Sequence, residues 1–258
     1  MATVIETQDL GVSFGKGGSN KVFHHLNISV EEGEFVTLVG VSGAGKSTLL
    51  RVVADLIPPN DGSVKVVAEA DRARRPIAMV FQAPLLMPWR TIAGNINLGL
   101  EGLNVPEQER RERVEQTLNL VGLAGYGERW PYQLSGGQRQ RIGIARALAV
   151  NPDVLLMDEP FGALDAITRT TLQDELLRIW KETRKSILFV THDIEEAVYL
   201  GDRVLLLGGK PARIVEDYPV TIDRSDRRGS EAFLRKVEEI KAGLSEAIAM
   251  TDHALEDS

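Results

Sequence analysis

Glycines surround a lysine and a serine in residues 40–48, which read GVSGAGKST. This loop follows an apolar run, Phe35–Val39, and precedes a helical pattern, LLRVVADL. Glycines let backbone N–H groups wrap a phosphate, Lys46 supplies charge to the β- and γ-phosphates, and the Ser47 hydroxyl can bind Mg²⁺. The pattern predicts a nucleoside triphosphate site, and the alternative is a glycine-rich turn that only caps a helix. The residues predicted to bind the nucleotide here are Gly40, Ser42, Gly43, Ala44, Gly45, Lys46, Ser47 and Thr48.

A second apolar run, Val154–Met157, ends in two acidic residues and a proline. An acid at the end of a buried strand beside a phosphate loop can hold Mg²⁺ through water, so Asp158 is a predicted metal ligand. The next residue, Glu159, would point toward the γ-phosphate and polarise an attacking water. The alternative is an ordinary charged turn at the end of a strand.

Two further polar residues follow apolar runs in the same way. Gln82 comes after Ile77–Phe81, and His192 comes after Ile187–Val190. Ligands of open α/β sheets bind at the carboxyl ends of the parallel strands. We therefore predict that His192 contacts the γ-phosphate and that Gln82 orients water or the metal.

A second anion site is predicted at residues 134–138, LSGGQ, which stand at the start of a helical run. Ser135, Gly136 and Gly137 would leave backbone N–H groups exposed at the positive end of the helix dipole. Three arginines follow, and they either raise the local positive potential or pair with acids in the core. They are Arg139, Arg141 and Arg146.

The elements that must position these residues alternate along the chain. The short apolar runs are typical of buried parallel strands, and helical patterns fall between them, which indicates a wound α/β sheet. One such pattern places Leu172, Leu176, Ile179 and Trp180 on a single helix face. We expect an α/β core at about 1–87 and 146–225.

Residues 88–145 are more polar and favour helix, so we interpret them as an inserted helical subdomain. Further along, RVLLLGG and ARIVED predict a β-hairpin, and a C-terminal helix is expected at about 230–250. The apolar stripe of that helix is more typical of packing than of membrane binding, because its other face is not distinctly basic. The stripe consists of Phe233, Val237, Ile240, Leu244 and Ile248.

Composition limits the classes of protein that fit. The 258 residues include 43% hydrophobic residues and no cysteine, and 30 basic against 37 acidic residues give a net charge of −7. This balance argues against a nucleic-acid-coating surface, and the absence of cysteine excludes disulfides. The first residues do not form a secretory signal, and no apolar run approaches the roughly 18–20 residues that cross a bilayer.

Taken in order, the motifs resemble those of ATP-binding cassette (ABC) ATPases over nearly the whole chain. They are GVSGAGKST, VFQ (80–82), LSGGQ, VLLMDEP, GALD (162–165) and THD (191–193). The resemblance implies one ABC ATPase domain over residues 1–258, with a P-loop NTPase core, an N-terminal antiparallel β subdomain and the inserted helical subdomain. The cofactors it implies are ATP and Mg²⁺.

The same resemblance implies a homodimer with two ATP molecules sandwiched between the copies. The γ-phosphate of the ATP held by the other copy would be contacted by Ser135, Gly136, Gly137 and Gln138. Glu159 would be the general base, Asp158 a Mg²⁺ partner and His192 a switch histidine. Gln82 would couple the site to transport and approach the metal, Asp165 would couple the two sites, and Phe14 would stack on adenine.

One segment suggests a branch of the family. APLLMPWRTIAGNINLGL, after Gln82, resembles importer ATPases of the nitrate, sulfonate and taurine type. This implies a peripheral protein at the cytoplasmic face of the cell membrane, whose region Gln82–Arg90 contacts a permease. An external solute-binding protein would act indirectly, and no nucleic-acid partner is expected. Trp89 would lie near the groove for a permease helix, or else be a core residue. The solute would be small and anionic or sulfonate-like, such as nitrate, sulfonate, taurine or bicarbonate.

Two other functions remain open at this point. A soluble ABC ATPase acting on ribosomes or DNA would usually carry tandem cassettes or long coiled-coil insertions, and neither is seen. A P-loop GTPase or small-molecule kinase would have no use for LSGGQ, and the Asn20-Lys21 pair is not followed by the x-Asp of guanine recognition.

Overall fold

A computed structural model describes residues 2–67 and 72–256. Its strands are β1 Thr3–Phe14, β2 Asn20–Leu26, β3 Ser29–Glu31, β4 Phe35–Gly40, β5 Asp61–Val66, β6 Ile77–Val80, β7 Val154–Asp158, β8 Ser186–Val190, β9 Arg203–Gly208 and β10 Arg213–Pro219. Its α-helices are α1 Lys46–Val53, α2 Ile92–Leu100, α3 Glu107–Leu120, α4 Gly136–Ala149, α5 Ala166–Thr183, α6 Ile194–Leu200 and α7 Glu231–Glu256.

The chain divides into two compact units. Unit 1 consists of Met1–Val67 and Ser186–Ser258, and unit 2 of Ala68–Lys185. Unit 2 therefore holds strands β6 and β7 as well as helices α2 to α5. The predicted domain boundaries, with a helical subdomain at about 88–145, stay a prediction.

Unit 1 contains the predicted N-terminal antiparallel sheet. Its long strand β1 pairs antiparallel with β2, β3 and β5. Residues of β1 such as Ile5, Leu10 and Val12 are buried, so this sheet has its own apolar face.

A second sheet of unit 1 contains strand β4, which leads into the phosphate loop, and the strands that pair with it. Strand β4 pairs in parallel with both β8 and β9, and β9 forms the predicted hairpin with β10. Every residue of Phe35–Gly40 is buried, as is typical of a central parallel strand covered on both faces. The strand therefore carries the loop that follows it on a rigid support.

Helix α7 packs its predicted stripe into unit 1. Phe233, Val237 and Ile240 are buried in a cluster with Val198 of α6 and Leu206 of β9. The prediction of a packing stripe is confirmed for these residues, whereas Ile248, further along, is exposed.

Arg227 fixes the end of helix α6 from the segment between β10 and α7. It is 1% exposed, and its guanidinium donates to the carbonyls of Val198 and Tyr199 at 2.9 Å and of Gly201 at 2.6 Å. Burial, with a smaller effect of Arg224, lowers the pKa of Arg227 to about 10, so it stays charged at neutral pH. A buried positive charge is favourable here because it faces the negative end of the helix dipole.

Unit 2 combines the parallel pair β6 and β7 with helices. Strand β7 is buried throughout and leads to the predicted carboxylates. Helix α5 buries Leu172, Leu176, Ile179 and Trp180, which confirms the predicted face. Within the described residues, no helix is both long enough and apolar enough to cross a membrane.

We expect Arg227→Met to lower the free energy of unfolding by about 3 kcal/mol, because it leaves buried carbonyls without a donor. Urea denaturation measures this loss. Arg228→Met is the matched control, since Arg228 is exposed and its guanidinium stacks on the Tyr199 ring at 4.0 Å. Equal losses in the two variants would contradict a specific role of the Arg227 guanidinium.

Candidate nucleotide site

The phosphate loop of unit 1 needs glycine at three positions for different reasons. A Cβ atom at Gly40 would lie 2.4 Å from the Leu207 carbonyl oxygen, and one at Gly45 would lie 2.5 Å from Cγ1 of Val22. Gly43 faces open space, but its φ of +81° is one that other residues rarely adopt. The loop between β4 and α1 is therefore fixed by close packing at both ends and by conformation in the middle.

Lys46 is held by the loop it belongs to. Only 5% of the residue is exposed, and its Nζ donates to the carbonyls of Gly40 at 2.9 Å and Val41 at 3.1 Å. The neighbouring N–H groups belong to the first turn of α1, where a helix has no carbonyl partners of its own. The loop thus combines an ammonium group with a helix N-terminus, which suits an anion.

Two further predicted residues of unit 1 lie at the surface. Phe14, at the end of β1, is 43% exposed, and His192 is exposed between β8 and α6. The backbone beside His192 is fixed on both sides, because the Thr191 hydroxyl accepts the Asp193 N–H at 3.0 Å and the Asp193 carboxylate caps α6.

In unit 2, the buried strand β7 delivers the two predicted carboxylates to different surroundings. Asp158 is the last residue of the strand and is buried, whereas Glu159 is half-buried. Glu159 also has a φ of +43°, a left-handed conformation that costs a non-glycine residue about 1 kcal/mol or more. Such strain is common at functional sites, because the surrounding fold has to impose it.

Gly162 brings Glu159 and Gln82 together, and sequence reasoning gave it no role. A Cβ atom at Gly162 would lie 3.3 Å from Nε2 of Gln82 and 3.6 Å from Oε2 of Glu159. The Gly162 N–H also donates to the Glu159 carbonyl at 3.1 Å. The amide of Gln82 and the carboxylate of Glu159 thus both lie close to this glycine. The sequence feature that could have indicated a role for Gly162 is its place in the GALD motif.

The LSGGQ segment of unit 2 forms a capped helix start. The Ser135 hydroxyl accepts the Gln138 N–H at 3.2 Å, and the Gln138 side chain accepts the Ser135 N–H at 2.9 Å. This reciprocal capping box fixes the first turn of α4 and uses the Gln138 amide oxygen internally. Ser135 and Gly136 remain exposed.

Gly137 has a packing role that the sequence did not indicate. It is buried, and a Cβ atom there would lie 2.6 Å from Cγ2 of Thr168 in helix α5. Asp165 caps that helix by accepting the Thr168 N–H at 3.0 Å, and this hydrogen bond lowers the pKa of the exposed Asp165 carboxyl. The start of α4 is therefore held against the start of α5 through Thr168.

The arginines after LSGGQ donate to backbone carbonyls. Arg139 donates to the Leu134 carbonyl at 2.5 Å, and Arg141 donates to the Val121 carbonyl at 3.2 Å. The Arg146 guanidinium donates to the carbonyls of Leu85 at 3.0 Å and Pro84 at 2.7 Å. That these arginines raise the positive potential at the anion site stays a prediction.

Comparison with known proteins identifies the family. The model of the ABC transporter family matches residues 23–162. An uncharacterized ABC transporter ATP-binding protein of Methanocaldococcus jannaschii is 44% identical over 91% of this chain and 88% of its own length. The chain belongs to the ABC transporter family.

Two further relatives agree with this assignment. The taurine import ATP-binding protein TauB of Rhizobium johnstonii is 42% identical over 90% of this chain and 89% of its own length. A solved ATP-binding cassette, a dimer in a post-hydrolysis state with ADP and Pi, is 31% identical and superposes with a TM-score of 0.70. It covers 84% of this chain and 99% of its own. The predictions of an ABC ATPase fold and of an ATPase coupled to transport are confirmed.

The predicted Mg²⁺ ligands of this ABC ATPase belong to both units of the chain. Among the residues described, no group of three or more His, Cys, Asp or Glu could hold a metal ion. The predicted ligands are the hydroxyl of Ser47, the buried carboxylate of Asp158 and the amide of Gln82. Each of these side chains offers an oxygen, the donor that Mg²⁺ prefers, and Mg²⁺ usually keeps several waters and binds the substrate phosphates.

Unit 2 also carries an open groove beside helices α2 and α3. Its volume is about 520 Å³. The lining contains both apolar and acidic residues, and Arg111 of the lining pairs with Glu107 at 3.1 Å. Apolar residues of the lining are Ala93, Val114, Leu118 and Ala124, and acidic ones are Glu107, Glu115 and Glu128.

The segment next to this groove exposes Trp89. Trp89 is 71% exposed, so the alternative that it is a core residue of the helical subdomain is wrong. Backbone hydrogen bonds from Ile92 to Arg129 and from Ala93 to Gly127 join the end of this segment to the groove lining.

We expect Gly137→Ala to slow ATP hydrolysis and to destabilise the ABC ATPase by about 1–3 kcal/mol, because the added methyl overlaps Thr168. Thr168→Ser removes only the overlapping Cγ2 atom, so the double variant should recover most of both losses. Steady-state hydrolysis and thermal unfolding measure the two effects, with Thr168→Ser alone as the control. If the serine gives no recovery, the Gly137–Thr168 contact is not what requires glycine there.

Proposed function

We propose that this chain is the ATP-hydrolysing subunit of an importer for a small anionic or sulfonate-like solute. It acts as a homodimer that sandwiches two ATP molecules, and closure of the dimer powers a permease. The observation that carries the proposal is the start of α4, where a capping box fixes Ser135 and Gly136 in an exposed position. An exposed helix N-terminus with its first turn fixed suits the γ-phosphate of a nucleotide held by another molecule.

The proposed roles follow from the local geometry of each unit. Lys46 and the backbone from Gly40 to Thr48 hold the phosphates, and Phe14 stacks on the adenine. Ser47, Asp158 and Gln82 hold Mg²⁺, which when bound neutralises charge on the β- and γ-phosphates. The exposed Asp165 couples the two sites of the dimer.

Glu159 is the proposed general base, because its carboxylate lies over Gly162 beside the amide of Gln82. This placement lets the carboxylate accept a proton from water that Gln82 helps to orient. His192 contacts the γ-phosphate from a loop whose neighbours hold its backbone in place. Catalysis then depends on positioning and charge stabilisation rather than on a covalent intermediate.

The permease is proposed to dock at the exposed Leu85 and Trp89 and in the adjoining groove. Trp89 and Leu85 are large apolar side chains left at the surface, and the groove lining includes apolar residues. The acidic residues of the lining favour a permease segment that carries basic residues. Such docking places the subunit peripherally at the cytoplasmic face of the membrane, while an external solute-binding protein acts on the permease from the other side.

The name of the TauB relative supports a sulfonate-type solute, and nitrate or bicarbonate are chemically similar alternatives. It also favours import over action on ribosomes or DNA, as does the negative net charge of −7. Uptake of labelled solutes by cells with and without this protein distinguishes the solutes, because the permease and the binding protein select them.

We expect Glu159→Gln to reduce ATP turnover by about 10²–10⁴-fold, because it removes the general base and leaves the phosphate loop intact. With saturating MgATP, the variant should double its mass in light scattering, and with MgADP it should remain a monomer. Glu112→Gln, at an exposed position of α3, is the control and should retain turnover. Near-normal hydrolysis by Glu159→Gln would refute the assigned role.

We expect Trp89→Ala to weaken binding to the permease by about tenfold or more, because the exposed aromatic side chain is the proposed docking contact. Leu234→Ala is the matched control, since Leu234 is also large, apolar and exposed (53%) but lies on α7. Co-purification and surface binding with detergent-solubilised permease provide the measurement. Equal behaviour of the two variants would place the docking site elsewhere.

A further inference from the structure

The segment Pro84–Thr91, here called the docking loop, has an unusual backbone conformation at its start. Leu85 has a φ of +46° while its side chain is 55% exposed. A left-handed conformation is unfavourable for leucine, and the exposed Leu85 side chain cannot recover this cost by burial. Other contacts must therefore hold the loop in this shape.

Arg146 of helix α4 makes those contacts. Its Nη2 donates to the Pro84 carbonyl at 2.7 Å, and its Nη1 donates to the Leu85 carbonyl at 3.0 Å. These two carbonyls belong to the peptide planes on either side of the Leu85 Cα. One rigid guanidinium that holds both oxygens therefore restrains φ and ψ of Leu85 together. A lysine at this position has a shorter side chain that ends in one ammonium, so it would not match the two-pronged geometry of the guanidinium.

Asn95 of helix α2 anchors the other half of the docking loop. It is completely buried, and its amide oxygen accepts the Met87 N–H at 2.6 Å. Its amide nitrogen donates to the carbonyls of Met87 and Arg90 at 3.1 Å and of Thr91 at 3.0 Å. Trp89 therefore projects from a loop that is anchored on both sides.

Helix α4 holds the start of the docking loop at several points along one face. Gln140 donates to the Phe81 carbonyl at 3.2 Å, and Gly143 packs against Pro84, where an added Cβ would lie 3.5 Å from the Pro84 Cα. Arg146 follows one turn later. Helix α4, which Ser135 caps, is thus hydrogen-bonded directly to the backbone of the residue whose side chain is exposed, Leu85.

We propose that Arg146 is a positioning residue that fixes Leu85 and thereby sets how Leu85 and Trp89 are presented to the permease. Arg146 also couples the position of the docking loop to that of helix α4, whose first turn is proposed to contact ATP. The inference rests on the proposed function, because it takes the permease as the partner of this loop. Its geometric part does not depend on the permease and can be tested separately.

The first test measures the loop alone. In a Trp130→Phe/Trp180→Phe background, the remaining Trp89 reports the mobility of the loop through its fluorescence anisotropy decay. Arg146→Lys should increase the fast motion of Trp89. Arg141→Lys is the matched control, since Arg141 also lies on α4 and donates to a backbone carbonyl. That carbonyl belongs to Val121, outside the docking loop. Leu85→Val, at an exposed position, should mobilise Trp89 as well, because a β-branched residue resists positive φ.

The second test measures binding of the full chain to the permease. We expect Arg146→Lys to weaken it by about tenfold, corresponding to about 1.4 kcal/mol, and Arg141→Lys to leave it unchanged. If neither Arg146→Lys nor Leu85→Val changes the motion of Trp89, or if Arg141→Lys changes it equally, the positioning role is overturned. If Trp89 becomes mobile but permease binding does not weaken, Arg146 still positions the loop and the proposed docking site is what fails.

Discussion

Backbone N–H groups at the start of a helix have no partner within the helix, and the candidate site depends on this constraint. Helices α1 and α4 begin beside the residues predicted to bind phosphate. At α1, close neighbours leave no room for a Cβ atom at Gly40 or Gly45 of the preceding loop. At α4, the capping box of Ser135 and Gln138 fixes the turn and leaves Ser135 exposed. Both ends suit phosphate because of backbone geometry more than side-chain charge.

Behind these surfaces, side-chain donors hold backbone carbonyls in several places. Lys46 holds the phosphate loop, Asn95 and Arg146 hold the docking loop, and Arg227 holds the end of α6. Each donor is wholly or mostly removed from water, so losing it would leave carbonyls unpaired at a high cost. A loop that must stay exposed can be kept in one conformation by such bonds, because it lacks apolar contacts of its own.

The sequence predicted the strands, the hairpin and the packed face of α5, because periodicity and apolar runs depend on local chain geometry. It also placed the phosphate loop and Asp158 at strand ends. It gave no role to Gly162 or Asn95 and did not indicate the contacts of Arg146 with Pro84 and Leu85. Their roles depend on neighbours such as Gln82, Met87 and Leu85, which are 8 to 80 residues away and come close only after packing.

The sequence by itself determined the family and the chemistry, because ordered motifs fix which groups can meet a triphosphate. Only the tertiary structure decided which atoms lie close to each glycine and which arginine holds the docking loop. The physical reason is that a guanidinium forms hydrogen bonds to whatever carbonyls lie within about 3 Å of it. That distance is set by how the helices pack and cannot be inferred from spacing along the chain.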